Sequence, residues 1–91
     1  MKVNLSDQVA VVTGGAAGIG RAIASTLADN GAQVVIVDVD AAGARNTATE
    51  FSAEGKSCVE MLADVADPVQ MAAVSEQVVR RFGRLDILIN N

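Results

Sequence analysis

Apolar residues along this chain gather into four short runs, separated by three longer stretches of helical period. The first run, Val9-Ala10-Val11-Val12-Thr13, is mostly β-branched and ends at glycines, as suits a strand covered on both faces. Beyond it Ile19, Ala22, Ile23 and Leu27 recur at helical spacing, predicting a helix over residues 18–30 that Asn30-Gly31 closes. Val34-Val35-Ile36-Val37-Asp38 reads as a second buried strand, ended by an acid. Residues 40–54 are polar and alanine-rich with Phe51 as the one large anchor. They predict an exposed second helix, capped by Asp40, interrupted at Gly43 and ended by Gly55. Residues 57–63 predict a third strand whose pattern Glu60 interrupts. Asp67-Pro68 is a cap followed by proline at the first helical position. It opens a third helix with Met71, Val74, Val78 and Phe82 on one core-facing side, closed by Gly83. Residues 85–91 form the fourth strand.

This βαβαβαβ alternation predicts an α/β fold with a parallel sheet covered on both faces. Right-handed crossovers put strands two and three successively to one side of strand one. The expected architecture is a partial Rossmann-type doubly wound sheet: one domain over residues 1–91, four strands in order 3-2-1-4 and three helices. Helices one and two would lie on one face and helix three on the other. Gly14 to Gly20, Asp38, Asp64 and Asn91 all follow strand C-termini, so the topology assigns them to one edge.

Composition narrows the chemistry. The 91 residues are 51% hydrophobic with a net charge of −4, and no basic stripe is present for nucleic acid or an anionic membrane. No apolar run approaches the ~20 residues of a membrane span, and no apolar region follows Lys2, so a cytoplasmic protein is expected. There is no histidine, the usual general base and commonest metal ligand. Cys58 is the single cysteine; it forms no internal disulfide and reads as a small core residue. Tyrosine and tryptophan are both absent.

The glycine-rich turn carries the chemistry. A strand that ends in glycines and feeds a helix leaves unpaired backbone N–H groups at the positive end of the helix dipole, an anion site that a diphosphate fits. The spacing is Gly14-x-x-x-Gly18-x-Gly20, different from the commonest G-x-G-x-x-G fingerprint. No Lys-Ser/Thr pair follows, so the turn is not a Walker loop. Asp38 lies close to the ~20 residues past the turn at which a carboxylate reaches the adenosine ribose hydroxyls. A carboxylate there repels a 2′-phosphate and favours NAD over NADP.

Thr13-Gly14-Gly15-Ala16-Ala17-Gly18-Ile19-Gly20 resembles the T-G-x-x-x-G-x-G cofactor motif of the short-chain dehydrogenase/reductase family, and Asp86-Ile87-Leu88-Ile89-Asn90-Asn91 is similar to the segment that continues Asn-Asn-Ala-Gly in that family. The resemblance implies cofactor contacts at Gly14, Gly18, Ile19 and Gly20, at Asp64 and Val65 on the adenine edge, and at Asn91 near a cofactor ribose. Members that use NADP commonly carry a basic residue where this chain has Ala17 or Val39. The resemblance also implies oxidoreductase chemistry, hydride moving between nicotinamide and an alcohol or carbonyl substrate. In the family a Tyr-x-x-x-Lys motif with a Ser and an Asn handles the proton. With no tyrosine, this chain supplies no catalytic residue, so the expectation is the NAD-binding N-terminal part of a family member, inactive alone. A half-sheet ending on an apolar strand is expected to self-associate. A stand-alone dinucleotide-binding or regulatory module is the alternative. An S-adenosylmethionine-dependent methyltransferase fits the glycine spacing poorly. Substrate residues lie in the family's later half and are not legible here.

Overall fold

The computed structural model describes residues 4–91. Its elements run β1 (Val9–Thr13), α1 (Gly18–Asp29), β2 (Gln33–Asp38), α2 (Ala41–Ala53), β3 (Cys58–Leu62), α3 (Pro68–Phe82) and β4 (Ile87–Ile89). The four strands are parallel in the order β3-β2-β1-β4, with Val9 opposite Gln33, Val34 opposite Cys58 and Ala10 opposite Ile87. The predicted order is therefore observed, and α1 and α2 share one face while α3 covers the other.

Strand alternation explains the two-layer packing. Val12, Val34 and Ile36 point to the α1/α2 side, where Ala24, Ala28, Ala44, Ala48 and Phe51 meet them. Val9, Val11, Val35 and Val37 point the other way, onto Val74 and Val78 of α3. Both faces of β1 and β2 are thus buried, which is why these strands read as unbroken apolar runs.

The residues of α1 that meet the sheet are Gly20, Ala24 and Ala28, whereas Ile19 is 73% exposed. The apolar stripe announces the helix but lies to one side of its tightest contact. A Cβ on Gly20 would overlap the Gly14 carbonyl oxygen and come within 2.8 Å of Asn91 Nδ2, so α1 sits too close to β1 for any larger residue.

Gly43 does not interrupt α2. Asp40 caps the helix by accepting from the Gly43 N–H at 3.0 Å, and a Cβ at Gly43 would overlap that carboxylate. Asp67 caps α3 by accepting from Val69 N at 2.9 Å and Gln70 N at 3.4 Å. Gly83 ends that helix in the left-handed region, φ +84°.

β4 is shorter than the predicted residues 85–91 because only Ile87–Ile89 pair, and they pair with β1 alone. Leu88, on the α3 side, is 49% exposed. β3 is the opposite edge; its Glu60 reaches Arg45 at 3.9 Å, so the acid that breaks the pattern lies at the water-facing margin.

The N-terminal ends of the strands are laced together. Leu5 N donates to Asn30 O at 2.7 Å, Gln33 N to Gln8 O at 2.9 Å and Asp86 N to Val9 O at 2.9 Å. The Asp86 carboxylate also accepts from Val9 N at 2.9 Å and from the Arg84 fork at 2.7 and 2.8 Å. Arg84 first, and then the Val9 amide, hold the Asp86 carboxyl below the usual carboxylate range. Cys58 is buried in the α1/α2 layer, where desolvation pushes its thiol up to about 11. At neutral pH it is an un-ionised core group, unsuited to act as a nucleophile.

Candidate functional site

The opposite ends of the strands are open, and the glycine-rich turn lies there. Gly14 and Gly18 adopt φ +66° and +61°, conformations that strain any residue with a Cβ. Thr13, buried, fixes the turn to the neighbouring strand: its hydroxyl donates to Ile89 O at 3.1 Å and accepts from Asn91 N at 3.0 Å. Asn91 Nδ2 lies 3.5 Å from Gly14 O, so the end of β4 leans onto the turn.

The start of α1 is uncapped. Its N-cap residue, Ala17, is extended and has no side chain that accepts from the helix, and no acid occupies the first turn. The first intrahelical bond is Arg21 N to Ala17 O, which leaves the amides of Gly18, Ile19 and Gly20 without helical partners. Apart from its chain neighbours and the backbone of its own helix, no atom stands within 4 Å of the place where a Gly18 Cβ would be. These bare amides, the dipole behind them and the open space beside Gly18 fit a diphosphate.

Asp38 touches this turn directly. One carboxylate oxygen accepts from Ala16 N at 3.2 Å and the other from Asp40 N at 3.0 Å. Gly14 N, in turn, donates to Val37 O at 2.8 Å. The mouths of β1 and β2 are thereby joined. Asp64, after β3, accepts from Ala66 N at 2.9 Å through its carboxylate, while its own amide donates to Gln70 Oε1 at 2.8 Å.

Gly14, Asp38, Val39, Ala63, Asp64, Val65 and Asn91 line one shallow cleft of about 150 Å³. Five residues singled out from the sequence, Gly14, Asp38, Asp64, Val65 and Asn91, are brought together there. Gly18, Ile19 and Gly20 adjoin it through the turn but do not line it. The Ile19 side chain faces away, into an apolar groove of about 330 Å³ along Ala22, Ile23, Thr26 and Leu27, so only its backbone is placed for the site. Sequence reasoning missed Ala63 as a lining residue and considered Val39 only as a place for a cation. Both follow strand ends, and that position was the available signal.

No residue lining the cleft is cationic. Arg21 is turned elsewhere, paired with Glu50 and lying 5.5 Å over the Phe51 ring. Among the described residues no cluster of three or more His, Cys, Asp or Glu side chains is grouped to hold a metal ion. Among them, too, no helix is long and apolar enough to cross a membrane.

A parallel sheet in this order, with a glycine-rich turn and an acid meeting at its C-terminal edge, defines a Rossmann-type α/β protein. The short chain dehydrogenase family profile matches residues 8–91, and the chain belongs to that family. It is 39% identical over 89 residues to the (2S)-[(R)-hydroxy(phenyl)methyl]succinyl-CoA dehydrogenase subunit BbsD of Thauera aromatica, covering 98% of this chain and 36% of that one. It is also 39% identical over 89 residues to the 3-oxoacyl-[acyl-carrier-protein] reductase FabG of Escherichia coli, covering 98% and 35%. A hydroxysteroid dehydrogenase from Escherichia coli superposes with a TM-score of 0.92 at 33% identity, over 97% of this chain and 36% of the other. The chain thus spans about a third of the length of these relatives. The family consists of oxidoreductases that bind a nicotinamide dinucleotide, NAD or NADP.

Proposed function

We propose that this chain is the NAD(H)-binding portion of a short-chain dehydrogenase/reductase. The observation that carries the reading is the bond from Ala16 N to the Asp38 carboxylate, which sets an acid against the anion-binding turn in a cleft without a cation. A diphosphate on the bare amides of Gly18, Ile19 and Gly20, seated against the Gly14 turn whose own amide is taken by Val37 O, places the adenosine ribose beside Asp38. There the carboxylate accepts from the 2′- and 3′-hydroxyls and repels a 2′-phosphate. Asp64 accepts from the adenine amine, Val65 packs near its ring, and Asn91 approaches the ribose on the nicotinamide side.

When bound, the nicotinamide supplies a hydride acceptor or donor. The chain's own residues bind and orient; it holds no tyrosine for the Tyr-x-x-x-Lys motif that handles the proton in the family. The substrates in the relatives' names, an acyl-CoA in one and an acyl-carrier-protein ester in another, are chemically unlike. They select none for this chain.

Calorimetric titration of the 91-residue chain with NAD and with NADP tests the reading. NAD is expected to bind at least about tenfold more tightly, equivalent to one unfavourable contact of ~1.4 kcal/mol. Equal or tighter NADP binding removes the role given to Asp38, and failure of both to bind removes the site.

A further inference from the structure

Outside the cleft, one buried contact reaches the glycine-rich turn from an element that the dinucleotide reading leaves unused. Thr47, in the middle of α2, is 1% exposed, and Thr13 and Thr47 are the buried polar residues among the described ones. Its hydroxyl donates to Ala16 O at 2.9 Å across 31 residues of sequence. Ala16 is itself buried, and the place of a Gly43 Cβ lies 3.4 Å from its own Cβ, so its methyl sits against the first turn of α2. Both polar groups of this one residue are therefore held by the second βα unit. Asp38 takes the N–H and Thr47 takes the carbonyl.

We infer that Thr47 is a positioning residue for diphosphate binding, acting through the Ala16 carbonyl; the inference rests on the dinucleotide reading above. The mechanism is orientational. Ala16 is followed by Ala17, the extended N-cap, and then by the bare amides of Gly18 to Gly20. Fixing Ala16 at N–H and carbonyl fixes the direction in which the next peptides leave it. Without the hydroxyl, a buried carbonyl loses its partner. The turn then swings that carbonyl to water, and the binding-competent conformer becomes a minority state. A ligand must restore it, so the loss appears in affinity.

Ser and Ala at position 47 form the decisive pair, since they differ by the hydroxyl alone and Ala favours the helix. ADP is the probe, titrated calorimetrically into the 91-residue chain well below the unfolding midpoint of each variant. Thr47→Ser is expected to keep ADP affinity within about twofold, and Thr47→Ala to lose about tenfold. The NAD-to-NADP affinity ratio, which reports the ribose end, is expected to stay at the wild-type value in both. A hydroxyl that serves only the fold would lower the unfolding midpoint of Thr47→Ala and leave ADP affinity intact; that result, or equal losses in Ser and Ala, overturns the inference while the dinucleotide site stands. A wild-type chain that binds no ADP overturns both together.

Discussion

Each of the three helices begins just after a strand end, and α1 and α3 begin in opposite ways. α3 opens on Asp67 and Pro68: the carboxylate takes the first free amides and the proline has no N–H to satisfy. α1 opens on Ala17, which offers nothing, with Gly14 before it and Gly18 just after it at positive φ. α3 is closed by its own residues and lines no part of the cleft, reaching it through Gln70, which accepts from the Asp64 amide. α1 is left open where Asp38 touches the turn, and the amides it leaves bare are available to an anion. An uncapped helix start is destabilising by itself, by ~1 kcal/mol against a good cap. In the reading proposed above, a bound diphosphate offsets that deficit at α1.

The contrast is broken most severely by giving α1 what α3 already has. Ala17→Asp places a carboxylate at an extended N-cap position. Two like charges ~4 Å apart near a surface repel by a few kcal/mol, so ADP affinity should fall by on the order of a hundredfold or more. The same change should raise thermal stability by ~1 kcal/mol. Asp67→Ala is the mirror experiment: stability falls by ~1 kcal/mol and ADP affinity stays unchanged. Parallel melting and titration of the two variants would sink the comparison if affinity moved alike in both.

A finer test uses two glycines with the same backbone and different surroundings. Gly18 (φ +61°) and Gly55 (φ +84°) both stand in open space, but Gly18 belongs to the turn and Gly55 ends α2 at the opposite, N-terminal end of the strands. Substituting Ala costs either site ~1–2 kcal/mol of stability, since left-handed backbone penalises a Cβ equally at both. Gly18→Ala alone should also weaken ADP, by about tenfold or more, because its methyl enters the space that the proposed reading gives to phosphate oxygens. Equal ADP affinities in the two variants would remove Gly18 from the site.

The smallest effect lies at the other end of the strands. Because Arg84 and the Val9 amide depress the Asp86 pKa in the folded chain, its contribution to stability is fully present above the unfolded-chain value of about 3.9. It is lost as pH falls through the lower, folded value. Asp86→Asn should therefore flatten the acid limb of the stability curve below about pH 4 and leave ADP binding at neutral pH unchanged. An acid limb as steep as that of wild type would show that Asp86 is not what titrates there.

Much of this was legible from residue types because the decisive features are local. β-branched runs marked β1 and β2, Asp67-Pro68 marked α3, and glycines marked the turn. The less legible parts depend on what is near in space. The stripe Ile19, Ala22, Ile23, Leu27 announced α1, yet Gly20, Ala24 and Ala28 meet the sheet, because the closeness of the Gly14 carbonyl outweighs side-chain size. Gly43 read as a helix interruption and proved to be room for a capping carboxylate. β4 pairs over three residues rather than seven, Ile87–Ile89 alone standing in register with Ala10–Val12 of β1. At the site, Asp38 was findable by its distance from the turn, whereas Thr47 was not: an interior threonine on an alanine-rich helix carries no mark of a partner 31 residues away.

The lacing described at the strand N-termini has a wider consequence. Because every strand runs the same way, the stitches Leu5–Asn30, Gln8–Gln33 and Val9–Asp86 all fall on one border of the sheet and hem it. The opposite border has ties of its own, Gly14 to Val37 and Thr13 to Ile89 and Asn91, and they run through the glycine-rich turn itself. Residues there that take no part in those ties can change in length or charge while the strands keep their register, so new specificities can be tailored between fixed stitches.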